Sequence, residues 1–207
     1  MDMNKNKISQ GWRTAIAALL LTTSVPAAAM AMQAYPHMQT GQTTSQPIGH
    51  YNYCKKNMSD CSIVSANTAA PKLTRQRWQQ MVSTNAYANR NVSPVTDLDY
   101  YGVEELWTLP GKFGDCEDFV LLKRKMLLDL GWPASALLRT VVRQPNGDGH
   151  AVLTVRTDRA DYVLDNLDDR IFEWDETEYT YLKRQSERNS GRWTDIIDSR
   201  RLVGSVK

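Results

Sequence analysis

Between Leu73 and about Asn89, apolar residues recur at helical spacing, with Trp78, Met81, Val82 and Ala86 on one face. That period predicts an amphipathic helix whose stripe belongs to a core. A second helix is predicted from Phe119 to about Leu130, stopped by Gly131 with Pro133 just beyond. Its pattern turns Phe119, Leu122, Met126, Leu127 and Leu130 inward and leaves Lys123, Arg124 and Lys125 to solvent or to carboxylates. The period then changes. Leu137 to Arg143 is β-branched and apolar, and Asn146-Gly147-Asp148-Gly149 has strong hairpin chemistry. His150 to Arg156 alternates, with Ala151, Leu153 and Val155 on one face and His150, Val152 and Thr154 on the other. A turn at Asp158–Asp161 leads to a third strand, Tyr162 to Leu167. Helices followed by an antiparallel meander define an α+β arrangement. The charged, aromatic stretch from Asp168 to Lys207 shows no period that assigns it.

Outside this region the pattern is weaker. Gln33 to Pro47 is polar and rich in Pro, Thr, Gln and Ser, which predicts a mobile segment, and Ile48 to Val64 reads as loop. Lys5, Lys7 and Arg13 precede an apolar run, Ala15 to Val25, and small-x-small sites follow at Ala27–Ala29 and Ala29–Ala31. This is the layout of a secretory signal, with an uncleaved anchor as the alternative. The expected organisation is therefore a signal at residues 1–31, a mobile segment with a small disulfide loop at 32–70, and one folded domain at 71–207. With 42% hydrophobic and 23% charged residues among 207, the chain can bury a real core. Losing the signal removes three positive charges and Asp2, which takes the formal +2 to about zero. Nothing in that balance points to nucleic acid.

Three cysteines in an exported chain are an odd number. Cys54 and Cys61, seven apart among turn formers, can close a small disulfide loop, leaving Cys116 single. Cys116 lies in Gly114-Asp115-Cys116-Glu117-Asp118, directly after the Pro/Gly loop Leu109–Phe113. Asp115 stands where an N-cap belongs, and Asp118 imitates the acidic half of a capping box. Cys116 then falls in a first turn, where free N–H groups and the helix dipole favour a thiolate. A small buried thiol beside a capped helix is the competing reading.

Of three histidines, His37 and His50 lie in the mobile or loop region, so His150 is the one on a defined core element. Asp165, fifteen residues on in Leu164-Asp165-Asn166-Leu167, ends the next strand. If the strands pair antiparallel, Asp165 can fix the imidazole tautomer while the other ring nitrogen faces the thiol. Asp115, Glu117 and Asp118 beside a thiolate would raise its pKa, so something must offset their charge. Hard oxygen donors suit calcium; Lys112, Lys123 or Arg124 is the alternative counter-charge.

The Gly114–Asp118 run, Gly149-His150-Ala151-Val152-Leu153 and Leu164–Leu167 together resemble the bacterial transglutaminase-like cysteine proteinases, from about Trp78 to Trp193. The resemblance implies a papain/transglutaminase-like fold with the nucleophile helix packed on an antiparallel sheet. It implies a periplasmic cysteine endopeptidase with Cys116 as nucleophile, His150 as general base and Asp165 as orienting carboxylate. It further implies calcium at Asp115 and Glu117, with Asp97 as a further contributor. Its implied partners are a protein substrate such as a surface adhesin, and a regulatory membrane protein. Glu105-Leu106-Trp107 departs from the family's common Asp-Tyr-Trp, which lengthens that carboxylate. A transglutaminase of the same fold and a catalytically silent calcium-binding module are the alternatives.

Overall fold

The computed structural model describes residue 1, residues 36–198 and residue 200, so beyond Met1 the expected export signal lies outside the described residues. Strand β1 (Gln39–Thr44) opens the fold and is followed by helices α1 (Ile48–Lys56) and α2 (Met58–Cys61). Helix α3 (Arg75–Asn91) leads to the short strand β2 (Ser93–Pro94) and helix α4 (Asp97–Tyr101). Strand β3 (Phe113–Gly114) runs straight into helix α5 (Cys116–Asp129). Strands β4 (Leu137–Arg143), β5 (Gly149–Arg156), β6 (Asp161–Leu164), β7 (Phe172–Glu173), β8 (Thr180–Gln185) and β9 (Trp193–Ile197) follow. Among the described residues, no helix is long and apolar enough to cross a membrane.

Among the described residues, seven strands form an antiparallel sheet in the order β1-β9-β8-β4-β5-β6-β7, and β2 pairs with β3 in parallel as a separate sheet. Alternation along β5 sends Ala151, Leu153 and Val155 to one face, against Val120 and Leu127 of α5 and Met81 of α3. Val152 goes to the other face with Val142, Val163, Trp174 and Tyr181. Both faces of the sheet are covered, so its strands carry apolar side chains on both sides. This is the expected α+β arrangement, with the helix that opens on Cys116 packed on an antiparallel sheet.

Several expectations are corrected. Residues 39–44 are not a mobile tail. β1 is the sheet edge, held by β9 and by Asp161, whose carboxylate accepts the Met38 N–H at 3.0 Å and pairs with His37 at 3.2 Å. The described residues from Pro36 on belong to one compact unit with the rest of the chain, so the fold does not divide at residue 70. Residues 48–56 and 58–61 are helical rather than loop, and Tyr53 with the disulfide packs against Trp107, Leu121 and Trp193 while Ile48, Tyr51 and Met58 stay exposed. On α3 the buried face is Met81, Thr84, Asn85 and Ala88, while Trp78 and Val82 are exposed. On α5 part of the polar face turns inward: Lys123 and Arg124 are buried toward carboxylates, the second of the two settings expected for them, while Leu130, just past the helix and expected to be buried, is exposed.

Buried arginines explain much of that inversion. Arg124 on α5 and Arg139 on β4 both pair with Asp60 of α2, which also accepts the Tyr53 hydroxyl at 3.0 Å. This ties the disulfide segment to helix and sheet at once. Burial alone would raise the Asp60 carboxyl, but Arg139 and then Arg124 override it and hold it at about 2. A depressed carboxyl stabilises the fold above its unfolded value near 4, and that contribution is lost as pH falls toward 2. Asp60→Asn should leave two buried guanidiniums without their charge partner and lower unfolding free energy by about 3–5 kcal/mol. Urea denaturation checks this; the variant should also lose Asp60's share of the stability decline between pH 4 and pH 2.

Candidate active site

Gly114 lets the loop reach α5 closely. A Cβ there would stand 2.9 Å from the Asp118 side chain and 3.0 Å from Pro110. Asp115 is the N-cap residue in extended conformation, but its side chain makes no cap hydrogen bond. The Asp118 carboxylate instead accepts the Thr108 N–H at 2.8 Å, so the expected capping pair is replaced by a carboxylate that pins the preceding loop. Cys116 is the first residue of α5, half-buried, with the Ala151 backbone of β5 favouring its thiolate.

His150 and Asp165 meet through sheet register. Leu153 opposes Leu164, so one step further Asp165 lies on the face of Val152, and His150 is the next residue along that face. Such diagonal neighbours reach each other across a strand pair. His150 Nε2 stands 2.8 Å from Asp165 Oδ1, both buried. An ionised carboxylate only accepts, so Nε2 carries the proton and Nδ1 is the free nitrogen. The Asp165 carboxyl is held below its ordinary value: burial pushes it up, and the His150, Tyr179 and Leu167 donors outweigh that.

Cys116 and His150 line one cleft of about 530 Å³, with Asp97, Asp115, Glu117, Glu105, Trp107 and Lys183 around them. Cys116 comes from the helix side of the sheet and His150 from the opposite face, both at the end where β5 begins. The thiol itself donates to Glu117 Oε2 at 3.0 Å. Burial, then the Glu117 charge, push the thiol well above its ordinary pKa. Glu117 is pushed up to about 8 by burial and then by the charge of Asp115. Asp118 is also raised to about 8, chiefly by burial, with the Thr108 amide pulling it back.

The carboxylates of Asp97, Asp115 and Glu117 each place an oxygen within 4.8 Å of the others. Asp97 Oδ1 and Asp115 Oδ1 are buried without a hydrogen-bond partner, whereas Asp97 Oδ2 accepts the Leu106 N–H. Orphaned, buried anionic oxygens on an all-oxygen donor set fit a hard divalent cation such as calcium. Glu105 stands outside that trio and accepts the Trp107 indole N–H at 2.8 Å.

Sequence reasoning missed two features here. Tyr179 donates to Asp165 Oδ2 at 2.5 Å, from a stretch with no legible period. His50, read as a loop residue, is fully buried against Tyr53, Trp107 and Trp193, accepts the Trp193 indole N–H at 3.1 Å, and touches the disulfide. Burial, reinforced by Arg139, lowers its pKa to about 3, so it is a neutral packing element.

A helix opening on a cysteine, set against an antiparallel sheet carrying a His–Asp pair, is the arrangement of papain-like and transglutaminase-like proteins. The family described as bacterial transglutaminase-like cysteine proteinase matches residues 40–201, and the chain belongs to it. Among solved structures it is similar to Legionella pneumophila LapG, at 23% identity and TM-score 0.49, over 60% of this chain and 72% of that one. A calcium-bound LapG from the same organism matches at 22% identity and TM-score 0.47, over 52% of this chain and 64% of that one. The chain thus spans under two thirds of the calcium-bound LapG chain. An EGTA-treated form matches at 19% identity and TM-score 0.43, over 60% of this chain and 73% of that one. A comparison with curated proteins found no match.

Cys54 and Cys61 form a disulfide, and Cys116 is the free cysteine. Unreduced protein should therefore give one alkylated cysteine on mass mapping, Cys116, and two after reduction should appear at 54 and 61. Replacing both by Ser should cost about 2–3 kcal/mol from the closed loop alone. A disulfide involving Cys116 would overturn the assignment of the nucleophile.

Proposed function

We propose that the chain is an exported cysteine endopeptidase that works through an acyl-enzyme, with Cys116, His150 and Asp165 as its catalytic set. The observation that carries this reading is the His150–Asp165 hydrogen bond at 2.8 Å, in the cleft that His150 shares with Cys116. Asp165 holds the imidazole with Nε2 protonated, which leaves Nδ1 as the base for the thiol. Once the thiol proton passes to Nδ1, Cys116 Sγ attacks the scissile carbonyl carbon. His150 returns that proton to the leaving amine, the C–N bond breaks, and water later takes the place of the amine. The substrate class we assign from family membership is an exported or surface-bound protein such as an adhesin, with a membrane protein as regulator.

The reading extends to calcium. Asp97, Asp115 and Glu117 would hold the ion, supported by their convergence and by the orphaned oxygens of Asp97 and Asp115. The ion would supply positive charge where three carboxylates crowd one thiol. For the chain's own residues the consequence is direct: Glu117 engaged in that way no longer competes as acceptor for the Cys116 proton. Lys123 and Arg124 do not serve as counter-charges, because Arg124 pairs with Asp60 and Lys123 faces Asp165 and Asp169.

Variants and metal test the two halves separately. On a protein substrate, Cys116→Ala should abolish turnover, and His150→Ala should lower kcat by at least about 1,000-fold. Asp165→Asn should be milder, since nucleophile and base remain. A His150→Ala enzyme at wild-type rate would sink the assignment.

Calcium at about a hundredfold excess over Kd should raise Tm by roughly 5–10 °C in wild type. It should not do so in Asp115→Ala or Glu117→Ala. It should also speed alkylation of Cys116 by iodoacetamide. Full activity and unchanged Tm in excess chelator would rule the ion out as a requirement, and a thiol that stays unreactive with calcium would favour a silent binding module.

A further inference from the structure

We propose that Tyr179 is a positioning residue that fixes Asp165, and through it the His150 imidazole, as the fourth member of the Cys116–His150–Asp165 set. The inference rests on the catalytic reading of that set. It begins from an acceptor count. Asp165 Oδ1 takes the His150 Nε2–H at 2.8 Å and the Leu167 N–H at 3.0 Å, and Oδ2 takes the Tyr179 hydroxyl at 2.5 Å. Each oxygen thus has its own donor, and the carboxylate cannot rotate without breaking one of them. A buried carboxylate without such donors would favour its neutral form.

The ring adds a second constraint. Tyr179 lies against His150 with centroids 5.6 Å apart and planes tilted by 57°. One side chain therefore limits both the carboxylate rotation and the imidazole tilt. The other titratable groups acting on Asp165 are the buried Lys123 on α5 and Tyr181 on β8, while Asp169 faces Lys123 and Asp168 faces Tyr179; the donor to Oδ2 is the Tyr179 phenol.

Tyr179 is itself held. It directly precedes β8, which pairs with β4. The register sets His150 opposite Val142 and Val142 opposite Tyr181, so Tyr179 continues that row on the His150 face. Arg200 donates to the carbonyls of Tyr179 and Thr177, each at 2.9 Å, and pairs with Asp198 at 2.7 Å. A guanidinium on several carbonyls fixes loop backbone that a short hairpin alone would leave loose.

The test uses the full chain at fixed calcium and iodoacetamide as the probe, with Cys116 alkylation followed from pH 3 to pH 8. Tyr179→Phe keeps the ring and removes the donor. Its acid-side midpoint should rise by about one unit, since a carboxylate losing a donor holds its proton more readily. The rate at pH 4–5 should fall roughly three- to tenfold. Tyr181→Phe, which loses only a hydroxyl contact with Thr177, should keep the wild-type profile. In an Asp165→Asn background, adding Tyr179→Phe should cost almost nothing further, because the phenol acts through the carboxylate. The His150 Nε2–H proton resonance should shift upfield and exchange faster in Tyr179→Phe. A Tyr179→Phe profile equal to wild type, or additive losses in the double variant, overturns the proposal. Asp165→Asn with an unchanged profile would instead overturn the catalytic reading beneath it.

Discussion

Carboxylates from two helices, Asp97 on α4 and Asp115 and Glu117 at the start of α5, come within 4.8 Å of one another beside a half-buried thiol. Like charges at that separation repel by several kcal/mol at the dielectric of a protein surface, and burial adds a desolvation cost. The local backbone is built to hold them there. Thr96 caps α4 through the Asp99 N–H at 3.2 Å, β2 pairs with β3, and the Asp97 carboxylate takes the Leu106 N–H. Asp118 then pins Thr108. The loop between α4 and α5 is thereby templated on acids at both ends. A sequence that spends so much fixed structure on mutual repulsion breaks a general rule of foldability, and such breaks are expected at functional sites.

Positive charge is plentiful in the interior, yet it is committed elsewhere. Arg124 and Arg139 answer Asp60; Arg184 answers Asp161 at 2.9 Å and Glu187 at 2.5 Å. Lys123 lies on the far side of the His150–Asp165 pair, its pKa lowered to about 7 by burial with Asp165 and Asp169 pulling the other way. Lys112 stands over the Phe113 ring, 5.6 Å from its centroid. Of the basic residues of α5, Arg124 therefore ties the scaffold and Lys123 faces the Asp165 loop; neither answers the acids at the helix start. That partition separates two electrostatic tasks along one helix, anionic at its first turn and cationic two turns later, in the sense the helix dipole opposes less at the N-terminus.

How far the sequence shows this depends on whether the deciding physics is local. β4 and β5 were legible almost to the residue, because β-branched alternation and the Asn146–Gly149 turn are both short-range signals. The helix starting at Cys116 was legible from the Pro/Gly loop before it. Pairing across strands also followed, since antiparallel neighbours in a meander leave His150 and Asp165 at adjacent strand ends. β1 was not legible: Gln39–Thr44 is polar throughout, and its partner β9 lies about 150 residues on, so pairing rather than pattern makes it a strand. The α3 face was misread because Asn85 is buried to donate to the Asp168 and Asp169 carbonyls, a use no hydropathy pattern records. For Lys123 and Arg124 the sequence left solvent and carboxylates both open; the carboxylates that decide it, Asp60 and Asp165, come from distant segments and leave no local signal.

The return of β8 links these observations. A β4–β5–β6 meander alone would leave β4 as an open edge, a liability that folded chains generally cover. β8 fills that edge and β9 and β1 extend the sheet beyond it. Because β8 begins directly after Tyr179 and carries Lys183 into the cleft, covering the edge also delivers a donor to Asp165 and a cation to the cleft wall. The stretch that carried no legible period is thus the one that closes the sheet over the His150–Asp165 pair. His150, Asp165 and Tyr179 meet only when β8, β4, β5 and β6 are in register. A one-residue slip of β8 would turn Tyr179 away from Asp165 and the Tyr181 ring away from Trp174 together. The geometry of the site and the integrity of the second core are therefore set by the same pairing.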